Sequence, residues 1–348
     1  MRKYFLGLGL FVLLLLIFVL NTFYSTGYFR TITPKMEGTL THIKMRGAED
    51  LAISRQDSFL IISSDDRAAR FHPRNRIGHL YKLDLRDSEV KPVKLTRNLS
   101  FPFYPHGISM LKLDSGIYKL WVINHPKNQH TVEVFMLYGD SLVHQKTISD
   151  EAIVSPNDLV AIDEDQFYIT NDHQYRYGWK RMAEDYLGLA ISDVQYYDGK
   201  EFTKVADGIA YANGINYDSK KNRLFVASPR GFLVKVFDPD LTTGSLQFIE
   251  DIDARSGVDN IEFDEKGRLW IGSHPNLMHF SGYAAGKLET SPSEIIVIDY
   301  EGKSNYSVES VFVDTGVNIS ASTVAIPFED KVYIGNVMDE HILVWSTN

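Results

Sequence analysis

Six short polar segments of this 348-residue chain hold the side chains best suited to chemistry: Glu49-Asp50, His106-Gly107, Asn157-Asp158, Asn213-Gly214, Asp259-Asn260 and Ser322-Thr323. Each runs straight into an apolar stretch. The set is rich in carboxylates and amides, hard oxygen donors of the kind calcium gathers about six to eight at a time. Zinc would ask for nitrogen or sulfur ligands that the set lacks. The chain has no cysteine, which removes thiolate nucleophiles, thiolate metal sites and disulfides together. Taken singly, an Asn-Gly or Asn-Asp pair reads as a turn. A register shared by six segments is something turns do not require.

Histidine supplies the second candidate chemistry. His106 lies inside the polar set, and His125 follows the next apolar run in Asn124-His125-Pro126. Two imidazoles side by side can form a pair in which one polarises the other, so that it deprotonates water near neutral pH. His173 and His274 stand at positions analogous to His125 in later repeats. For each of them a structural hydrogen bond to backbone is the plain alternative. There is no Gly-x-Ser-x-Gly elbow, no phosphate-binding glycine loop and no His-Glu-x-x-His helix, which argues against a serine hydrolase or a nucleotide enzyme. The net charge of -9, with no clustered cations, argues against a nucleic-acid partner. Solvated surface carboxylates account for much of such an acidic excess. Asn98, Asn305 and Asn318 stand in glycosylation-type triplets, which carry meaning only in a eukaryotic secretory host.

The elements that must position these groups repeat. Apolar runs starting at Phe59, Leu120, Phe167, Leu224, Leu269 and Val332 recur at intervals of about 45 to 63 residues, each aromatic and β-branched as strands are. The polar pairs precede them by about ten residues. A third run follows in most units, at 79–85, 132–137, 194–197, 233–237, 295–300 and 342–345. The expected fold is all-β, a six-bladed β-propeller in which each polar pair opens the innermost strand and all six converge on one mouth of the central channel. Because the chain ends after its last third strand, residues 39–45 are expected to supply the missing outer strand and close the ring. One loosely amphipathic helix is expected over 179–190, capping the channel mouth or packed on the surface as an ordinary connection.

Two regions follow: 1–30, a membrane anchor or signal segment, and 31–348, the propeller. Arg2 and Lys3 precede an uncharged apolar run over 4–20, near the roughly 17 to 25 residues that span a bilayer. Cations before the run favour a cytosolic N-terminus. The folded part is then expected on the periplasmic or extracellular side, anchored, or secreted should cleavage occur near Ser25 and Gly27. The 44% hydrophobic and 23% charged composition of the whole chain suits a globule with a large core. The oligomeric state is not written in these residues.

In order and spacing, nine segments resemble the serum paraoxonase/arylesterase family: those around Glu49-Asp50, His106-Gly107-Ile108, His125, Asn157-Asp158, Asn171-Asp172-His173, Tyr186 to Ala190, Asn213, Asp259-Asn260 and His274-Pro275-Asn276. The match runs from about residue 45 onward. The resemblance implies two calcium ions in the tunnel. One, catalytic, would be bound by Glu49, Asn157, Asn213, Asp259 and Asn260; the other, structural, by Asp50, Asp158 and the Ile108 carbonyl. It implies His106 as general base with His125 as partner, Tyr211, Thr323 and His274 at the substrate pocket, and a lid helix at 179–190. The family's animal members close their ring with a disulfide that this chain cannot make, so a distant, bacterial member is expected. Residues 65–71 also lack the family's lysine-tyrosine pair. The implied activity is calcium-dependent hydrolysis of aryl esters and lactones. A sugar lactonase of the gluconolactonase type, a strictosidine-synthase-like protein and a non-catalytic calcium-stabilised platform are the rivals.

Overall fold

The computed structural model describes residues 2–87, 91–97, 99–114, 116–127 and 129–347, so that Asn98 lies outside them. Six four-stranded antiparallel sheets stand around one axis. Their innermost strands are Ala48–Ser54, Pro105–Lys112, Pro156–Ala161, Ile215–Asp218, Gly257–Phe263 and Ser322–Phe328, each opening within about two residues of one of the polar pairs. The second strands, such as Phe59–Asp65 and Leu269–His274, are buried along their whole length, which explains their continuous apolar runs: both faces meet neighbouring blades. Outer strands alternate instead, as Ser141–Ile148 does over its first residues, because only one face is covered.

An apolar layer fills the space between each pair of adjacent blades. The layer that joins the last blade to the first packs Leu51, Leu60 and Ile62 against Val324, Ile326, Tyr333 and Val344. The sixth blade takes its outer strand from the N-terminal side, Thr39–Lys44, paired antiparallel with His341–Ser346 from Thr39 opposite Ser346 to Lys44 opposite His341. Ring closure thus rests on a strand and an apolar layer, as a chain without cysteine requires.

Among the described residues three α-helices accompany the sheets. α1, Arg2–Ser25, is longer than the apolar run that suggests it and has a mean hydropathy of 2.6 over Tyr4–Ser25. α2, Trp179–Leu187, stops short of the expected 190, because Gly188 adopts φ 61° and its N–H returns to the Glu184 carbonyl. α3, Leu277–Ala284, was not expected. Its start signal is Asn276, whose side chain accepts from the His279 N–H as an N-cap; in the sequence it reads only as the end of a His-Pro-Asn turn.

Candidate active site

Five of the six inner strands slip register at or beside the polar pair: between Ala48 and Asp50, Pro105 and Ile108, Pro156 and Leu159, Val258 and Ile261, and Ser322 and Ala325. A bulge inserts a residue, bends the strand and re-aims its side chains. Two consecutive polar groups can therefore both leave the blade and enter the tunnel. Glycine makes the approach possible. A Cβ at Gly107 would sit 2.6 Å from the Asn157 carbonyl oxygen, and one at Gly214 would sit 2.4 Å from that of Asp259.

The result is two layers of polar groups on the axis. Glu49, His106, Asn157, Asn213 and Asp259 face a cavity of about 680 Å³, together with Tyr211 and His274. Asn260 lies beside Glu49, its Nδ2 donating to Oε1 at 3.1 Å. Glu49 Oε2, Asn157 Oδ1, Asn213 Oδ1, Asp259 Oδ1 and Asn260 Oδ1 are all buried with no hydrogen-bond partner. Buried polar atoms are almost always satisfied, so five orphaned oxygens from five blade positions describe a place for a cation. Among the described residues no three His, Cys, Asp or Glu groups are spaced to hold a metal. This donor set is amide-rich, two carboxylates and three amides, which suits a hard cation.

Below it, Asp50 accepts the N–H groups of Leu51 and Ile108 at 2.8 and 2.7 Å, and Asp158 those of Leu159 and Ile215 at 2.7 and 2.9 Å. Ile108 therefore meets Asp50 through its N–H. Both carboxyls are pushed well above the usual range, first by burial; for Asp50 the Asp158 charge adds to it, and for Asp158 the Glu49 charge does so against its backbone bonds. Asp259 is raised by burial as well, partly offset by His274, whose Nε2 lies 2.9 Å from Oδ2. Glu49 moves the other way: burial is outweighed by His106, Arg67 and Asn260.

The two histidines lie side by side. His106 Nδ1 lies 2.7 Å from His125 Nε2, and His106 Nε2 lies 3.3 Å from Glu49 Oε1. His125 is held well below its ordinary range by burial first, with the neighbouring His106, His130, Arg67 and Arg76 acting in the same direction. Thr323, expected on the pocket wall, is fully buried and does not line the cavity; its hydroxyl donates to the Glu49 carbonyl at 2.5 Å. It braces the first ligand strand from behind. Tyr211 holds φ 66°, an uncommon conformation for a bulky residue, and packs edge-on against His173.

Three features of the site had gone unread. Arg67 lines the cavity 4.0 Å from Glu49 Oε2, with Nη1 buried and unpaired. Phe280 of α3 stacks on His274 at 3.9 Å and 16°. His173 bridges Asp172 at 2.6 Å and Asp185 of α2 at 2.8 Å, tying the lid to blade 3. The only signal for that bridge was the Asp172-His173 pair itself. Burial opposes the His173 charge, but the two carboxylates outweigh it and raise the imidazole to about 9. A raised histidine stabilises the fold fully below about 6.5 and loses that contribution as pH passes through about 9. Between pH 7 and 10, thermal stability of the wild type is therefore expected to fall more than that of His173→Gln, measured by circular dichroism; parallel curves would remove the latch.

The end of α1 joins the same mouth. Thr22 and Thr26 line the cavity, the Leu277 N–H donates to the Thr26 carbonyl at 2.9 Å, and Arg30 pairs with buried Glu294 at 2.6 Å. Beside it the α2 region exposes Tyr177 and Trp179, while Met182 and Tyr186, also exposed, line the cavity.

Comparison with known proteins adds to this geometry. A sequence model described as arylesterase matches residues 66–344. Serum paraoxonase/arylesterase 1 of Homo sapiens is 33% identical over 302 residues, covering 84% of this chain and 83% of its own. Among solved structures, a luciferin-regenerating enzyme superposes with a TM-score of 0.57 at 13% identity, covering 89% of this chain and 95% of its own. Regucalcin of Agrobacterium tumefaciens, a calcium-binding protein, gives 0.51 at 12% identity, covering 90% and 93%. At such identities the two structures speak for the propeller alone.

Proposed function

The chain is a distant member of the arylesterase family, and from that premise we propose that it is a calcium-dependent hydrolase of carboxylic esters and lactones. The observation that carries the proposal is the group of five orphaned oxygens beside the His106–His125 pair. Glu49, Asn157, Asn213, Asp259 and Asn260 would hold one calcium ion; Asp50, Asp158 and the Ile108 carbonyl would hold a second. When bound, the upper ion supplies Lewis-acid polarisation of the substrate carbonyl and accepts the negative charge that develops on its oxygen.

The chain's own groups do the rest. His106 takes a proton from water at Nε2, the nitrogen beside Glu49, while His125 holds Nδ1 and fixes the ring. Met182 and Leu189 of the lid region, with Leu277, Met278 and Phe280 of α3, give an apolar wall for the acyl or aryl group. The anchor is proposed to stay attached, with Arg2 and Lys3 on the cytosolic side and the exposed Tyr177 and Trp179 at the membrane interface.

The testing experiment is a panel of phenyl acetate, aliphatic δ-lactones and a sugar lactone, with and without a calcium chelator. Hydrolysis of the first two that stops on chelation supports the proposal. Turnover of the sugar lactone alone favours the gluconolactonase-type reading, and no turnover favours the binding platform. Within the panel, His106→Gln and His125→Gln are each expected to lower kcat by roughly 100-fold to 10,000-fold without abolishing it, as removal of a general base does. Unchanged kcat in His106→Gln would exclude that histidine as the base.

A further inference from the structure

The imidazole pair is the inner part of a row of three. His125 uses Nε2 toward His106 and Nδ1 toward His130 Nδ1 at 2.8 Å, with the second pair of rings 4.7 Å apart and nearly perpendicular. Strand pairing forces this meeting. Asn124 and Thr131 are register partners across the second and third strands of blade 2, so the residues just beyond them, His125 and His130, stand at the two feet of one short loop.

A neutral imidazole has one N–H donor and one lone pair, and a row of three can be ordered in only two directions. Should His130 Nδ1 donate, His125 donates from Nε2, and His106 is left with its proton on Nε2, pointing at Glu49. That state has no lone pair toward the cavity. Should His130 Nδ1 accept, His125 carries its proton on Nδ1, His106 donates from its own Nδ1, and His106 Nε2 is bare. Only this second direction leaves a base.

We propose that His130 is a positioning residue, whose Nδ1 lone pair orders the row so that His106 keeps Nε2 unprotonated; the assignment rests on the hydrolytic reading for the role of His106. The distances fit both directions, and the base role of His106 selects the one in which His130 accepts; its surroundings keep that direction open. Burial, then the neighbouring Arg176, with Arg181 also contributing, hold His130 at about 4 against the opposing pull of Asp172, so at neutral pH it is a neutral ring with a lone pair to offer. An imidazolium could only donate.

The test uses the detergent-solubilised full chain and reads the tautomers directly, by nitrogen NMR of histidine labelled with nitrogen-15. In the wild type, His106 and His125 are expected to be protonated on Nδ1. In His130→Ala the two should become tautomer mixtures, with kcat for phenyl acetate down about 10-fold and KM within about two-fold, a fraction of a general base's full contribution. His130→Asn, whose carbonyl can accept from His125, should restore both the tautomer and most of kcat. Wild-type tautomers or full kcat in the alanine variant, or an asparagine variant as slow as the alanine one, would overturn the assignment. If the wild type hydrolyses no ester or lactone, the hydrolytic reading falls while the NMR comparison still decides the role of His130 in ordering the row.

Discussion

Asp259→Ala is expected to lower hydrolysis of phenyl acetate and of a δ-lactone by about a thousand-fold or more. The magnitude follows from what the side chain does twice over. Asp259 is one of only two carboxylates in the upper donor set, so its loss removes a full charge as well as a ligand. Removing a single neutral donor from a site that stabilises developing charge already costs about 100-fold to 1,000-fold. Asp259 Oδ2 also engages His274, which is buried and stacked on Phe280; the variant would leave both imidazole nitrogens unpaired, since Nδ1 has no partner already. The check combines kcat/KM with calcium content per chain. Full activity in Asp259→Ala would refute the metal assignment, and lost activity with undiminished calcium would move the residue's role from ligand to substrate contact.

Calcium removal is expected to lower the melting temperature by at least about 5 °C, taking about 2.7 kcal/mol for an ion held at a hundred times its Kd and roughly 2 °C per kcal/mol for a large domain. The reason lies in the lower layer. Asp50 and Asp158 are 3% and 4% exposed, and with Glu49 they put several carboxylates on one narrow axis. Each of the two already accepts two backbone N–H bonds, yet burial and mutual charge still disfavour ionisation. A divalent ion converts that repulsion into attraction. The two proposed sites separate in this test. Asp158→Ala should lose most of the calcium-dependent stabilisation, whereas Asp259→Ala should keep it while losing activity. Magnesium, smaller and strict about octahedral geometry, should not substitute. A melting temperature indifferent to chelator would remove the lower site.

Legibility differed from residue to residue. The repeat singled out Glu49, Asp50, Asn157, Asp158, Asn213, Asp259 and Asn260 together, because it places equivalent positions in equivalent surroundings; their division into an upper and a lower ligand set came from the family resemblance. His106 and His125 were readable for the same reason, one on an inner strand and one just after a second strand. Thr323 belonged to the same register yet points to the back of Glu49. Register alone says which strand carries a residue; the bulge at Ser322 to Ala325 decides where it aims. Helix α3 was missed because its eight residues follow a proline and carry no charged first turn, leaving Asn276 as the only start signal.

What the sequence determined by itself was periodic and chemical: six repeats, hence six blades; oxygen-bearing polar pairs without sulfur, recurring in register; an apolar N-terminal run, hence a helix able to cross a bilayer. Periodicity and donor type are local properties, so local reading recovers them. The tertiary structure alone decided the rest: the meeting of His125 with His130, the His173 bridge to the lid, Arg67 beside Glu49, and the seating of the α1 terminus at the cavity mouth. Each depends on distances between segments far apart in the chain or on the two ends of a loop, and those distances exist only once the ring has closed and its bulges have turned the side chains inward.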